Sequence, residues 1–250
     1  MVELIIDGQK VKAEKGSYLI EVAKKIGIKI PSLCYHKALS AYGACRLCIV
    51  EINGREGSRI VTSCNYPIRE SIEVKTASER VLKERKMLIE LLLARCPNVE
   101  VIQDLADELG IKAPRFRVED EDCILCGLCE RVCDEIIGVS AISFINRGID
   151  VKVGTPFHII SGACIGCGAC SAVCPTGAIT VEDREETREI KYWNAAFPLR
   201  KCRICGKVVA PEAQIKYLSE KVHLPNEFFE VCQECKKEHY KERIIANACM

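Results

Sequence analysis

The sequence predicts an α+β chain of four successive modules, and three observations carry that prediction. Alternating strands around an Asp-Gly turn open the chain. A leucine-rich stretch with near-helical spacing follows at 77–113. Most of the 18 cysteines recur in C-x-x-C sets, in one case as a run repeated 41 residues later.

In order along the chain, VELIIDG and KVKAE read as a hairpin turning at Asp7-Gly8, because Asp-Gly supplies the positive φ of a tight turn. Ser17 is the expected cap of a short helix, SYLIEVAKKIG, ended by Gly27. Strands are expected at Leu47–Ile52 and Ser71–Lys75, closing a first module at residue 76. In the second module, 77–118, Ser78 is the expected N-cap. Val81, Leu82, Leu88, Leu92 and Leu93 form its apolar face. A second short helix fits Val99–Leu109, closed by Gly110, and Ala113-Pro114 breaks the pattern. The third module, 119–183, holds the repeated run, with two strands expected around Arg147-Gly148. The charged run DREETREIK at 183–191 reads as a solvated linker. The fourth module, 184–250, carries two more C-x-x-C pairs around a helix with Ile215, Leu218 and Val222 on one side.

So many cysteines leave two readings: a disulfide-stapled secreted protein, or a metal or cluster protein kept reduced. The opening MVELIIDGQKVKAEKG has no basic segment leading into an apolar core, so no secretory leader is expected. No run of about 18 apolar residues is present to span a membrane. The reduced, cytoplasmic reading follows. With 36 basic and 35 acidic residues, net +1, the chain lacks the basic footprint of a nucleic-acid binder. Only 6% of residues are aromatic, so the cores should be modest and bound inorganic groups should help hold the fold.

The first constellation is Cys34, Cys45, Cys48 and Cys64. The C-x-x-C pair puts two thiolates on one loop, and flanking loops bring two more, the number a [2Fe–2S] cluster needs. Gly43 and Ala44 are small enough for backbone N–H groups to approach the sulfides. The alternative is a zinc ion on the same thiols. With the N-terminal hairpin and helix, this set resembles the β-grasp ferredoxin domain of the complex I large iron–sulfur subunit. The same domain opens the diaphorase subunits of NAD-linked hydrogenases and many iron-only hydrogenases.

The second constellation is the repeat: Cys123, Cys126, Cys129 and Cys133, then Cys164, Cys167, Cys170 and Cys174. Both are C-x2-C-x2-C-x3-C, the bacterial two-cluster ferredoxin run, in which the fourth cysteine serves the other cluster. One [4Fe–4S] is therefore assigned to Cys123, Cys126, Cys129 and Cys174, the second to Cys133, Cys164, Cys167 and Cys170. Gly127, Gly166 and Gly168 let the chain wrap a cluster. Asp134 stands where the family commonly has proline, and is expected to be solvated.

The resemblance covers roughly residues 1–183, with one gap. The family usually places a His/Cys cluster module, H-x3-C-x2-C-x5-C, between these two ferredoxin parts. Here the leucine helix (Met87–Ala94) and VIQDLADELGI are present, but no histidine lies between His36 and His158, and Cys96 is the one cysteine between Cys64 and Cys123. One thiolate cannot hold a cubane, so no ligand role is expected for Cys96. It reads as a buried small hydrophobe at a lost site.

The third constellation is Cys202, Cys205, Cys232 and Cys235, C-x2-C-x26-C-x2-C. Four thiolates in two knuckles suit a closed structural zinc site, a zinc-ribbon-like module; a further [4Fe–4S] is the alternative. The tail has 13 basic and 10 acidic residues over 184–250, a weak positive bias. Cys249 is expected to be free. His36 reads as a surface histidine.

No dinucleotide-binding glycine motif, P-loop or H-E-x-x-H is present, and no catalytic residue is assigned. The resemblance implies an electron-transfer subunit of a multi-subunit cytoplasmic oxidoreductase. Its partners would be a flavin- and NAD(P)-binding diaphorase-type subunit and a catalytic subunit: a hydrogenase, a formate dehydrogenase, or a tungsten or molybdenum enzyme. Ferredoxin is a further partner, and electron-bifurcating complexes are one such assembly. The rival readings are a free-standing ferredoxin-like carrier, which should be smaller and acidic, and an iron–sulfur regulator, which should bind nucleic acid in a salt-dependent way.

Overall fold

A computed structural model gives the fold; it describes residues 1–248 other than 56, 114, 116–118, 156, 158 and 224. The expected break at Pro114, the free Cys249 and His158 lie outside the described residues. The chain divides into two compact units, Met1–Arg131 with Cys174–Ala178, and Val132–Val173 with Ile179–Met250.

The first unit is built on a five-stranded sheet in the order β2-β1-β5-β3-β4. Strands β1 (Val2–Ile6) and β2 (Gln9–Ala13) form the expected hairpin. Its turn has φ +45° at Asp7 and +82° at Gly8, the two positive values a two-residue turn requires. Strand β3 (Ile49–Gly54) pairs antiparallel with β4 (Gly57–Thr62) and β5 (Glu73–Lys75), and β5 runs parallel to β1. Helix α1 (Leu19–Lys25) contributes Leu19, Ile20, Val22 and Ala23 to a core shared with Leu4, Ile6, Val50, Ile52 and Val74. Ser17 does not cap α1: its hydroxyl donates to the Glu14 carbonyl, and Tyr18 occupies the cap position. Strand β4 was not anticipated, and β3 begins two residues later than expected.

Helix α2 (Glu79–Arg95) is capped as expected, the Ser78 Oγ accepting from the Val81 N–H at 3.3 Å. Its buried face differs from the expected one. Val81, Arg85, Ile89 and Leu93, spaced four apart, face inward, while Leu82 is exposed and Leu88 and Leu92 are half-buried. Helix α3 (Glu100–Glu108) ends before Gly110, at φ +67°.

Helix α4 (Leu128–Arg131) closes the main part of the first unit. In the second unit, β6 (Ser143–Ile145) and β7 (Lys152–Gly154) form the expected small hairpin, and α5 (Ala169–Ala172) follows. The charged run at 183–191 is not a linker. It forms a hairpin of β8 (Val181–Arg184) and β9 (Thr187–Ile190), continued by β10 (Ala195–Lys201) and β11 (Val208–Pro211) into a four-stranded sheet. Asp183 stands opposite Arg188 across its strands, an opposite-charge pair that helps so polar a sequence hold a strand pair. Helix α6 (Glu212–Val222) buries Ile215, but Leu218 is half-buried and Val222 exposed, a narrower apolar face than expected. Helix α7 (Gln233–Ala248) ends the described chain.

Among the described residues no helix is long and apolar enough to cross a membrane.

Candidate metal and cluster centres

The first set is drawn together by the β3–β4 hairpin and the loop that precedes it. Cys34 precedes β3 on a long loop, Cys45 and Cys48 lie just before β3, and Cys64 sits in the 3-10 turn Ser63–Asn65 after β4. All four are buried, and Cys48 and Cys64 are part of the sheet core. The four thiols act on one another: Cys45 and Cys64 on Cys34, and Cys64 on Cys48. These contacts hold the Cys34 thiol down to about 2 and that of Cys48 down to about 7. The Cys45 and Cys64 thiols are pushed up by the same contacts. Backbone N–H groups add to this: Cys45 donates to the Cys34 Sγ and Leu33 to the Cys45 Sγ, each at 3.4 Å. The Ser63 Oγ and N–H both donate to the Cys48 carbonyl, fixing the two ends of the set to each other. At Gly43, φ is +77° and a Cβ would lie 2.9 Å from the Asn65 Nδ2, so the small residue there is a steric requirement. His36 is exposed, its Nδ1 accepting from the Ala38 N–H at 3.3 Å.

The repeated runs divide between the units. Cys123, Cys126, Cys129 and Cys174 fall in the first unit, while Cys133, Cys164, Cys167 and Cys170 fall in the second. In the first group, Cys126 is pushed up to about 11, by burial first and then by the negative charges of Cys123, Cys174 and Cys34. The Leu125 N–H donates to the Cys123 Sγ at 3.4 Å, and the Arg95 Nε to the Cys123 carbonyl at 2.9 Å. In the second group, Cys133, Cys164, Cys167 and Cys170 line one cavity, with Ile142, Ile165, Ile190 and Trp193 as its apolar walls. Burial pushes Cys170 up to about 11, partly offset by a hydrogen bond from the Trp193 side chain. The Ala141 N–H donates to the Cys133 Sγ at 3.3 Å. The two loops share a backbone: Leu125 and Gly166, equivalent in the repeat, have φ of +54° and +68°, and Gly127 and Gly168 have +71° and +76°. Asp134 is exposed and accepts from the Ser140 Oγ at 2.5 Å.

In the tail, the sulfurs of Cys202, Cys205, Cys232 and Cys235 all lie within 4.8 Å of one another. Among the described residues this is the one His, Cys, Asp or Glu group gathered so tightly. The Cys205 and Cys232 sulfurs are 3.6 Å apart, and the Cys232 N–H donates to the Cys202 Sγ at 3.3 Å. That donor, with the Cys205 N–H, brings the Cys202 thiol down to about 6. Gly206, at φ +73°, turns the first knuckle.

Cys96 joins none of these sets. It is fully buried at the end of α2, its N–H on the Leu92 carbonyl at 2.8 Å, and burial pushes its thiol up to about 12. A neutral thiol in an apolar setting is the inert form of cysteine. Sequence reasoning did not find Arg131, Arg188, Phe197 or Trp193, which brace the cysteine loops from elsewhere; the lone tryptophan was the one visible signal.

Residues 1–79 match the 2Fe-2S iron-sulfur cluster binding domain family, and 116–181 match a 4Fe-4S dicluster domain family. A second 4Fe-4S dicluster domain family matches 163–238, which takes in all four tail cysteines. The chain is 35% identical over 208 residues to the NADPH-Fe(3+) oxidoreductase subunit alpha of Geobacter sulfurreducens, covering 72% of this chain and 24% of that protein. It is 33% identical over 211 residues to the NADP-reducing hydrogenase subunit HndD of Solidesulfovibrio fructosivorans, 72% of this chain and 36% of that one. Identity to an NADH-quinone oxidoreductase subunit of Rhizobium meliloti is 30% over 234 residues, 82% and 27% of the two chains. The chain thus spans only 24% to 36% of the length of these curated relatives. A chain in the crystal structure of an NAD+-reducing [NiFe]-hydrogenase in the H2-reduced state shares the fold, with a TM-score of 0.62 and 26% identity over 90% of this chain and 99% of that one.

Proposed function

We propose that this iron–sulfur chain, a 2Fe-2S ferredoxin domain followed by 4Fe-4S dicluster domains, relays electrons inside a cytoplasmic oxidoreductase complex. A flavin- and NAD(P)-binding subunit stands on one side and a catalytic subunit, hydrogenase-like by the relatives' names, on the other. The observation that carries the reading is the division of the thiols, all but Cys205 buried or half-buried, into separate four-cysteine sets, each within one compact unit. Such sets, once loaded, exchange single electrons and do no bond chemistry.

Cys34, Cys45, Cys48 and Cys64 would hold the [2Fe–2S] group. The division of the repeat between the units supports Cys123, Cys126, Cys129 and Cys174 as ligands of one [4Fe–4S]. It supports Cys133, Cys164, Cys167 and Cys170 as ligands of the other. The Trp193 side chain and the Ala141 N–H then serve the second set as hydrogen-bond donors to its sulfurs, which favours the more negative, reduced form.

Two observations bear on the tail and pull in opposite directions. The dicluster match over 163–238 favours a third cubane on Cys202, Cys205, Cys232 and Cys235. Their sulfur spacing favours a single ion: four thiolates at about 2.3 Å from one zinc sit roughly 3.8 Å apart, whereas those of a cubane each cap a different iron and stand wider. Distance is the more direct evidence, so zinc is the reading adopted, as a structural staple that carries no electrons.

The test is iron, acid-labile sulfide and zinc per chain on protein purified without oxygen. About 10 iron, 10 sulfide and one zinc are expected from the cluster types. About 14 iron without zinc would make the tail a fourth redox centre. Reduction of these centres by NAD(P)H only when a flavoprotein co-purifies would support the relay; full reduction by NAD(P)H alone would sink it.

A further inference from the structure

Arg131 lies two residues beyond Cys129, in α4, and is 6% exposed. Its Nη2 donates to the carbonyl of Cys34 at 2.9 Å, and its Nη1 to the carbonyl of Ser40. The guanidinium carbon lies 5.2 Å from the centre of the Tyr42 ring, within cation–π range. The Nε is buried without a hydrogen-bond partner. Among the described residues no carboxylate forms an ion pair with it.

A buried guanidinium without a carboxylate is costly, and it persists only where other negative charge lies close. Here two thiolate sets are close. Its backbone continues from the Cys123–Cys129 loop through α4, and its fork grips the loop from Cys34 to Tyr42. All these residues belong to the first unit.

Building on the cluster assignment above, we propose that Arg131 is a positioning residue that locks the [2Fe–2S] loop to the first cubane loop and serves as counter-charge to both. It makes these two sites a direct one-electron pair. The fork suits the task better than an ammonium would, because two donors in fixed geometry span two carbonyls at once.

Three anaerobically purified chains test this: wild type, Arg131→Gln and Arg131→Lys. Iron is counted, both midpoint potentials are titrated, and the magnetic relaxation of the reduced [2Fe–2S] signal is read with the first cubane reduced and oxidised. In Arg131→Gln the iron is retained, and both potentials fall because a buried positive charge that favoured the reduced forms is gone. The relaxation enhancement weakens. Arg131→Lys recovers the potentials but not the enhancement; if Arg131→Gln fails to load, Arg131→Lys alone must still lose the enhancement. Unchanged potentials and relaxation in Arg131→Gln would overturn the proposal, as would loss of iron from both variants, which would leave Arg131 as part of the fold alone. A wild-type chain without iron would instead overturn the cluster assignment.

Discussion

The Arg85 Nε donates to the carbonyl of Leu47, the residue between Arg46 and Cys48 in the first cysteine loop, at 3.1 Å. Its Nη2 reaches the carbonyls of Ile49 at 2.7 Å and Thr76 at 3.2 Å. A charged side chain from the middle of α2 thus stitches the loop, β3 and the end of β5 together. Burial costs the guanidinium and lowers its pKa, with the negative charge of Cys48 as the opposing influence.

Replacing Arg85 by Met keeps most of the volume but leaves three buried carbonyls without donors. The expected loss is roughly 3 kcal/mol, read as a lower melting temperature of the loaded chain. The [2Fe–2S] absorption should disappear before that of the cubanes, because the loop that holds Cys45 and Cys48 is the one released. Simultaneous loss of all cluster absorption would contradict this local role.

Cys96→Ala should leave the iron count unchanged. The side chain acts as a small buried hydrophobe, so the variant should lose only about 1 kcal/mol. Iron analysis and a melting curve suffice. A fall in iron would mean that the thiol is a ligand after all.

What could be read from the sequence was what is local. Asp7-Gly8 dictated its turn, and Ser78 found the Val81 N–H three residues on, because neither depends on the rest of the chain. The cysteine spacings were legible for the same reason: two or three residues fix which sulfurs share a loop. Ser17 was misread because its hydroxyl had a nearer acceptor in Glu14. The run at 183–191 was misread because its charges were counted and not paired; folded back at Glu185, they face one another across two strands. Arg85 and Arg131 were invisible, since a sequence shows a charge but not the carbonyls it will meet, 36 and 97 residues away at Ile49 and Cys34.

The Asp183–Arg188 pair makes a prediction in pH. Arg188 grips the Asp183 carboxylate with its Nε at 2.7 Å and Nη2 at 2.9 Å, and its Nη1 donates to the Gly166 carbonyl at 3.3 Å. The bidentate bond holds the Asp183 carboxyl below its ordinary value. A carboxyl depressed in the folded chain stabilises it above the unfolded value of about 3.9, and that share is lost as pH falls through the folded value. Asp183→Asn should therefore be less stable by about 1 kcal/mol at neutral pH. The deficit should persist to about pH 5 and shrink only as the wild-type carboxyl itself takes up a proton. A deficit unchanged down to pH 3 would mean that the charge is not what matters.

Leu125 and Gly166 occupy the same place in the two repeated loops with the same left-handed backbone, yet they should not be interchangeable. A Cβ on Gly166 would lie 2.7 Å from the Phe197 ring, which leaves no room. Leu125 is half-buried and accommodated, so its backbone strain, on the order of 1–2 kcal/mol, is offset by the surface it buries. Gly166→Ala adds both strain and a clash to the loop between Cys164 and Cys167. It should cost the chain about 4 of its iron atoms, those of one cubane, while the [2Fe–2S] signal survives. Leu125→Gly relieves strain and gives up burial in comparable amounts, so its iron count should match wild type and its stability should move by less than about 1 kcal/mol. Pairing Gly166→Ala with Phe197→Ala separates the two causes. Recovery of iron in the double variant would assign the defect to the ring, and no recovery would assign it to the backbone angle.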